Sequence, residues 1–343
     1  MPPQYVLFPI KCMWYKHHAY RLPRNIQRSS VMGPGKVSVG KRLGEAVKAG
    51  CRFVCRPILP MLPDSLSNQL PFLGRVCING PDHLQLRLHT YGPHGKDRIA
   101  LKLSKRGFWG YEGETVRVFL PLVKQASTVI DIGANTGLFA LLAASSNPAC
   151  RVVAFEPVPF IFDMLQANIR LNHLTNLDAI RSAVSDTTGE TSFFVTRTSV
   201  GIPTDSSSCA GFRDDVAELR LPTVTLDEFM TRQKLTGLDV LKIDAEAAEA
   251  SVIRGDVETL RRHRPFVICE VLDNVDHDFV ERTFAILAYR FYHIGPTHLE
   301  RRERLTGSLA VDRRNYLFAP AEKTNALFAL CRNASIPLQD VAA

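Results

Sequence analysis

Thr128-Val129-Ile130-Asp131-Ile132-Gly133-Ala134-Asn135-Thr136-Gly137-Leu138-Phe139-Ala140-Leu141-Leu142 reads as strand, tight turn and helix. Thr128 to Ile132 is β-branched and largely apolar, as a parallel strand buried on both faces requires. Two glycines bracket the turn, and from Leu138 the apolar residues run on as a helix. A glycine at such a turn lets a ligand reach the backbone where a Cβ would clash. The helix start then faces that ligand with N–H groups that have no partner inside the helix.

The spacing of the turn narrows the ligand. A dinucleotide site spaces its glycines G-x-G-x-x-G to seat a pyrophosphate on the helix start. Here the spacing is G-x-x-x-G, and Asp131 stands two residues before Gly133. A carboxylate there repels a pyrophosphate and suits a ligand with a cationic amino-acid part and no phosphate. S-adenosylmethionine is such a ligand. The same strand-turn-helix arrangement predicts an acid at the end of the next strand to hold ribose hydroxyls. Arg151-Val152-Val153-Ala154-Phe155-Glu156-Pro157 supplies Glu156. Singly, Asp131 also reads as a turn or cap residue and Glu156 as a surface acid. Their recurrence at the ends of consecutive strands favours the ligand reading.

Composition bounds the rest. A chain of 343 residues buries a sizeable core in one or two domains. Its net charge of +8 is uneven: residues 1–60 hold eleven Lys/Arg and one acid, Glu45, so the remainder is near neutral. The eight cysteines are scattered without a C-x-x-C pair, which argues against a disulfide framework; Cys269, in an apolar run, reads as a buried thiol. Cys51-x-x-x-Cys55 with His17-His18 has no second ligand pair at finger spacing, so zinc is not expected. No apolar run reaches transmembrane length and no secretory h-region is present, so the chain reads as cytoplasmic. The Arg-rich, acid-poor start leaves organelle targeting open as the alternative.

Along the chain, residues 1–75 form a basic, Pro/Gly-rich extension. Only Val39 to Val54 has helical character, weakened by Gly44 and Gly50. A solvated tail is the simplest reading, and sequence upstream of a start at Met32 or Met61 is another. No aromatic-basic interleaving supports a nucleic-acid arm, and no nucleic-acid partner is expected. Residues 76–320 carry the main domain. Leu84 to Leu88 and Arg98 to Leu103 alternate as strands around the turn Gly92-Pro93-His94-Gly95, a small β region ahead of the main sheet. Trp109 and Tyr111 lie just before the site and either pack or line it. A helix from Glu114 to Lys124 leads into the motif strand.

Beyond the motif, helices are expected at Pro159 to Asn172, Leu226 to Lys234, Ala247 to Arg254, Val257 to His263 and Asp278 to Leu287. Strands are expected at Leu177 to Val184, Glu190 to Thr196, Leu219 to Val224, Leu238 to Asp244, Phe266 to Val271, Tyr289 to Ile294 and Asn315 to Ala319. Thr198 to Phe212 reads as a polar loop, and residues 321–343 as a C-terminal tail. Alternating strands and helices imply an α/β doubly wound, mostly parallel sheet with its ligand at the strand C-termini.

With these residues in hand, residues 107–320 resemble the FkbM family of S-adenosylmethionine-dependent methyltransferases. The resemblance rests on Asp131-Ile-Gly-Ala-Asn-Thr-Gly137, Phe155-Glu156-Pro157, Asn168-Ile-Arg-Leu-Asn172 and Ala183-Val-Ser-Asp186. It continues with Thr225-Leu-Asp227, Lys242-Ile-Asp244, Glu246, Glu249, and Arg264-Pro265 before Glu270. Each is weak alone; the ordered set is specific. It implies a Rossmann-like class I methyltransferase fold and O-methylation of a small-molecule or glycan hydroxyl. It implies cofactor contacts at Asp131, Gly133, Asn135, Gly137, Glu156 and Ala183. One departure stands out. The family pattern K-I-D-x-E-G-x-E reads Lys242-Ile-Asp-Ala-Glu-Ala-Ala-Glu249 here, with Ala247 in place of glycine. If that backbone needs a positive φ, alanine costs about 1 kcal/mol or more.

Methyl transfer to a neutral alcohol needs alignment and removal of the hydroxyl proton. Asp244 ends the central strand, and Glu246 and Glu249 are three apart and would share a helix face. Asp244 or Glu246 is the candidate base. The competing reading has Glu246 and Glu249 serving the helix start electrostatically. No metal-ligand cluster is evident in the sequence, although Asp244 and Glu246 could hold a cation. The absence of G-x-G-x-x-G disfavours a Rossmann oxidoreductase, and the absence of an N/D-P-P-aromatic run disfavours a DNA amino-methyltransferase. A non-catalytic S-adenosylmethionine-binding protein is the remaining alternative.

Overall fold

The computed structural model describes residues 74–93, 95–196, 202, 206–207, 216–273, 276–308 and 314–339. The expectations for residues 1–73 and for most of the loop at 198–212 lie outside them. The described chain starts with an antiparallel hairpin, β1 (Arg75–Asn79) and β2 (Gln85–His89), and a short ribbon, β3 (Tyr91–Gly92) with β4 (Gly95–Lys96). Helices α1 (Arg98–Arg106) and α2 (Gly113–Val123) lead into β5 (Thr128–Ile132). Then come α3 (Leu138–Ser146), β6 (Arg151–Phe155), α4 (Pro159–Leu171) and β7 (Leu177–Ile180). A smaller sheet follows, made of β8 (Ala183–Val184), β9 (Gly189–Thr196), β10 (Ser206–Ser207) and β11 (Val216–Val224). The chain returns through α5 (Leu226–Arg232), β12 (Val240–Ile243), α6 (Glu249–Arg254), α7 (Val257–His263), β13 (Phe266–Glu270) and α8 (His277–Ile286). It ends with β14 (Tyr289–Ile294), β15 (Leu299–Arg302), β16 (Asn315–Pro320), α9 (Thr324–Asn333) and β17 (Leu338–Gln339).

The main sheet has the order β17-β15-β14-β16-β13-β12-β5-β6-β7. From β13 to β7 every pairing is parallel, and β16 joins β13 antiparallel. Strand order therefore reverses between β5 and β12: one half runs outward through β6 and β7, the other through β13. Such a reversal opens a crevice at the strand C-termini. Alternation along the strands divides the core. Val129, Val152 and Val240 pack on the face carrying α2 and α3, whereas Ile130, Val153, Leu241 and Val267 pack on the opposite face. This is the expected doubly wound α/β fold, with the β1–β2 hairpin as the small β region ahead of it. Cys269 is fully buried as an apolar thiol. Beyond residue 320, Leu327 of α9 is fully buried in the core.

Three local expectations are corrected. Arg98 to Leu103 is not a strand but the start of α1. Asp97 decides this: its Oδ1 accepts from the N–H of Ile99 at 2.8 Å and of Ala100 at 3.0 Å, an N-cap that fixes the first turn. Ile99 and Leu103, four apart, then share the buried helix face. Leu177 to Val184 is two strands. The chain leaves the main sheet after Ile180, and Ala183–Val184 pairs with β11 instead. Helix α6 begins at Glu249 rather than Ala247, because Glu246 and Ala247 hold left-handed φ values of 50° and 78°.

Candidate active site

The site is built outward from β5 and β12. Their parallel register sets Asp131 opposite Lys242, both on the face of Val129 and Val240, beneath α3. Lys242 Nζ lies 4.5 Å from the centre of the Phe139 ring and 2.8 Å from Asp244 Oδ2. Asp131 is 1% exposed, and among the described residues neither of its carboxylate oxygens has a hydrogen-bond partner of good geometry. Burial pushes its pKa up to about 6, against the pull of Lys242. Burial also pushes Asp244 up, but Lys242 and Arg314 outweigh it and hold this carboxyl below its ordinary range.

The turn after β5 is held by the neighbouring strands. Gly133 has a φ of 78°, and a Cβ on it would lie 1.8 Å from the carbonyl oxygen of Asp244. Its glycine is therefore required by the adjacent loop of the protein itself. The N–H groups of Gly133 and Ala134 both donate to Phe155 O, at 3.0 and 2.9 Å. Asn135 N donates to Glu156 Oε2 at 3.0 Å, and Val158 N donates to Glu156 Oε1 at 2.9 Å. Glu156 is 3% exposed, and its burial, opposed by those two donors, pushes its pKa up to about 7. Each of its oxygens keeps a second lone pair for a further donor. Gly137 caps α3 with a φ of 101°, and a Cβ there would meet Leu165 Cδ1 at 2.5 Å. Gly137 is not among the residues lining the cleft, so its glycine answers to helix packing.

The cleft, about 860 Å³ counting its open mouth, gathers Asp131, Gly133, Asn135, Glu156, Ala183, Asp244 and Glu246 from the sequence-derived set. Phe139, Phe155, Val184 and Phe193 give it apolar walls. Of the two aromatics before the motif strand, Tyr111 lines the cleft, whereas Trp109 is half exposed and packs edge-on to Phe108. Glu246 and Glu249 do not share a helix face, since Glu246 lies in the left-handed loop before α6. Glu249 instead is fully buried and clamps that loop. Its Oε1 accepts from Ala245 N at 3.0 Å and Ala247 N at 3.3 Å.

Sequence reasoning missed a group drawn from distant parts of the chain. Arg314 Nε meets Glu270 Oε1 at 2.6 Å and reaches toward Glu112, and both Glu112 and Arg314 line the cleft. Asn315 Nδ2 donates to Thr115 Oγ1 at 3.0 Å, tying β16 to α2 beside them. Glu270 had a readable signal, an acid ending a buried strand. Glu112 and Arg314 follow no local pattern; antiparallel pairing of β16 with β13 brings Arg314 in. Several motif residues are structural. Asn168 accepts from His89 N at 2.8 Å and donates to Thr136 O at 2.9 Å, tying the hairpin to the turn after β5. Asp227 holds the start of α7 through the N–H groups of Glu258 and Thr259.

The comparisons agree with this geometry. Residues 131–291, from the Asp131 turn through β14, match the Methyltransferase FkbM domain. This stretch is similar to FkbM methyltransferase domains. The domain is 28% identical over 153 residues to methyltransferase SdnD of Sordaria araneosa, covering 37% of this chain and 59% of that one. It is 27% identical over 165 residues to 31-O-demethyl-FK506 methyltransferase FkbM of Streptomyces tacrolimicus, covering 39% and 60%. It is likewise 27% identical over 165 residues to hexuronic acid methyltransferase AglP of Haloferax volcanii, covering 48% and 64%. The chain thus spans about 60% of the length of these relatives. Among the described residues, no helix is long and apolar enough to cross a membrane.

Proposed function

We propose that the domain binds S-adenosylmethionine and methylates a hydroxyl of a sugar or small metabolite. The observation that carries this reading is the pair of carboxylates at the ends of β5 and β6. Asp131 is buried in the cleft with no hydrogen-bond partner of good geometry among the described residues, and Glu156 has one donor on each oxygen. Buried carboxylates are retained where a ligand completes their hydrogen bonds. A cationic amino-acid end suits Asp131, and the two hydroxyls of a ribose suit Glu156. The apolar walls suit an adenine ring. When bound, the cofactor supplies a methyl group on a sulfonium, an electrophile that needs only an aligned nucleophile.

The acceptor side of the cleft belongs to Asp244 and Glu246. Lys242 keeps Asp244 ionised and holds one of its oxygens, so Asp244 orients and carries charge. Glu246 also lines the cleft, and with Asp244 held by Lys242 it is the candidate to take the hydroxyl proton. The relative named 31-O-demethyl-FK506 methyltransferase supports oxygen as the methylated atom, and the hexuronic acid methyltransferase supports a sugar acceptor. The second reading, a cofactor-binding protein without turnover, draws on Ala247, whose φ of 78° is the conformation in which alanine is strained. A methyl-labelled donor assay against a panel of sugars and hydroxylated metabolites, run beside adenosylhomocysteine calorimetry, tests both. Label transfer supports the enzyme. Tight adenosylhomocysteine binding with no transfer to any panel member supports the second reading, and no binding contradicts both.

A further inference from the structure

The methyl-transfer reading gives Asp244 and Glu246 roles but leaves Glu270, beside them, without one. Asp244 follows β12, Glu246 lies two residues on in the left-handed loop, and Glu270 ends β13. Parallel pairing of Ile243 with Cys269 brings the residues after them to the same edge. One carboxylate oxygen from each of the three lies within 4.8 Å of the other two. Glu270 is 1% exposed; its Oε1 pairs with Arg314, but among the described residues its Oε2 has no hydrogen-bond partner. A buried carboxylate oxygen without a donor, beside two further carboxylates, is electrostatically uncompensated.

Among the described residues, Lys242 pairs with Asp244, and Arg314 pairs with Glu270 and reaches toward Glu112. All three converging ligands are oxygen, which suits a hard cation and excludes a thiophilic one.

We infer that Asp244, Glu246 and Glu270 form a site for a hard divalent cation of the Mg²⁺ or Mn²⁺ type. Such ions bind through a few carboxylates and keep their other positions for water or a ligand hydroxyl. The cation's place beside the acceptor rests on the methyl-transfer reading, and with the cation bound Glu246 serves as its ligand rather than as a free base; the binding itself does not rest on that reading. A proton shared between Glu270 and its neighbours is the competing way to relieve the same repulsion.

The test uses the full chain, stripped with EDTA and desalted, and titrated with Mn²⁺ while the free-ion paramagnetic resonance signal is followed. One Mn²⁺ per chain is expected. Glu246→Gln, at a partly exposed position, should weaken it by roughly tenfold or more, and Asp244→Asn likewise. Glu258→Gln, at an exposed acid paired with Arg261, should leave it unchanged. Mn²⁺ binding that is absent, or equal in wild type and both cleft variants, would overturn the site in favour of the shared proton. Adenosylhomocysteine titration in EDTA separates the two claims. Binding of adenosylhomocysteine without Mn²⁺ binding removes the cation site alone, and Mn²⁺ binding without adenosylhomocysteine removes the methyl-transfer reading alone.

Discussion

The carbonyl oxygen of Asp244 occupies the space that a Cβ on Gly133 would need, 1.8 Å from where that atom would sit. Two loops from adjacent strands are thereby locked together at the reversal of strand order. One carries the turn after β5 and the other carries Asp244 and Glu246. Asp244 N also donates to Ile132 O at 3.0 Å, so the contact is anchored on both sides.

Gly133→Ala should therefore separate the loops as well as strain a positive φ. The expected loss exceeds ~2 kcal/mol, in the range reserved for backbone clashes. Gly237→Ala, where nothing lies within 4 Å and φ is not left-handed, should be close to neutral. Urea unfolding midpoints of the two variants check this, and equal midpoints would contradict the contact.

On the proposed reading, Glu156→Ala removes an acceptor for the cofactor; it also removes the partner of two backbone amides. The sequence alone suggests a side chain facing only the crevice, with little effect on folding. Its burial and its bonds to Asn135 N and Val158 N change that expectation. Cofactor affinity should fall roughly 10- to 100-fold, since about 1.4 kcal/mol is tenfold. Stability without ligand should also fall, by about 1–3 kcal/mol for the donors left unpaired. Glu190→Ala, an exposed acid on β9, is the control. Calorimetry and denaturation together check both halves.

Ala247→Gly should stabilise the protein by roughly 0.5–1 kcal/mol, because glycine adopts a φ of 78° without a Cβ penalty. The relief exceeds the extra backbone entropy lost on folding. A lower melting temperature in the variant would mean that the alanine methyl, buried in the core beneath the loop, contributes more by packing than it costs in strain.

A pH dependence of stability follows from four buried carboxyls. Asp97 and Asp131 are raised to about 6, and Glu156 and Glu249 to about 7, each chiefly by burial. Between about pH 4.5 and 7 the folded state holds protons that the unfolded chain has released. Stability from these groups therefore falls as pH rises through that window and levels off above it. Melting temperature without ligand should be higher at pH 5.5 than at 7.5, and Glu249→Gln should shrink the difference. A melting temperature that rises across the window would contradict the burial of these groups as charges.

The fold was legible where local chemistry and tertiary demand coincide. Thr128 to Ile132 and Phe266 to Glu270 are apolar runs because parallel strands are covered on both faces. Arg98 to Leu103 misled because residues two apart on a strand also include residues four apart on a helix; the cap at Asp97 broke the tie. In the site, Asp131, Glu156 and Asp244 were readable as acids at strand ends. The clash at Gly133 and the Arg314 ion pairs were not, since both depend on which strands become neighbours. Ala247 was readable as a conditional cost, and its backbone meets the condition.

The central claim is that the carboxylates at the ends of β5 and β6 receive a sulfonium nucleoside and repel a pyrophosphate. Calorimetric titration of the full chain with adenosylhomocysteine and, separately, with NAD tests it most directly. Adenosylhomocysteine should bind at one site per chain, with NAD at least roughly tenfold weaker. NAD binding as tightly as adenosylhomocysteine, or more tightly, would contradict the account.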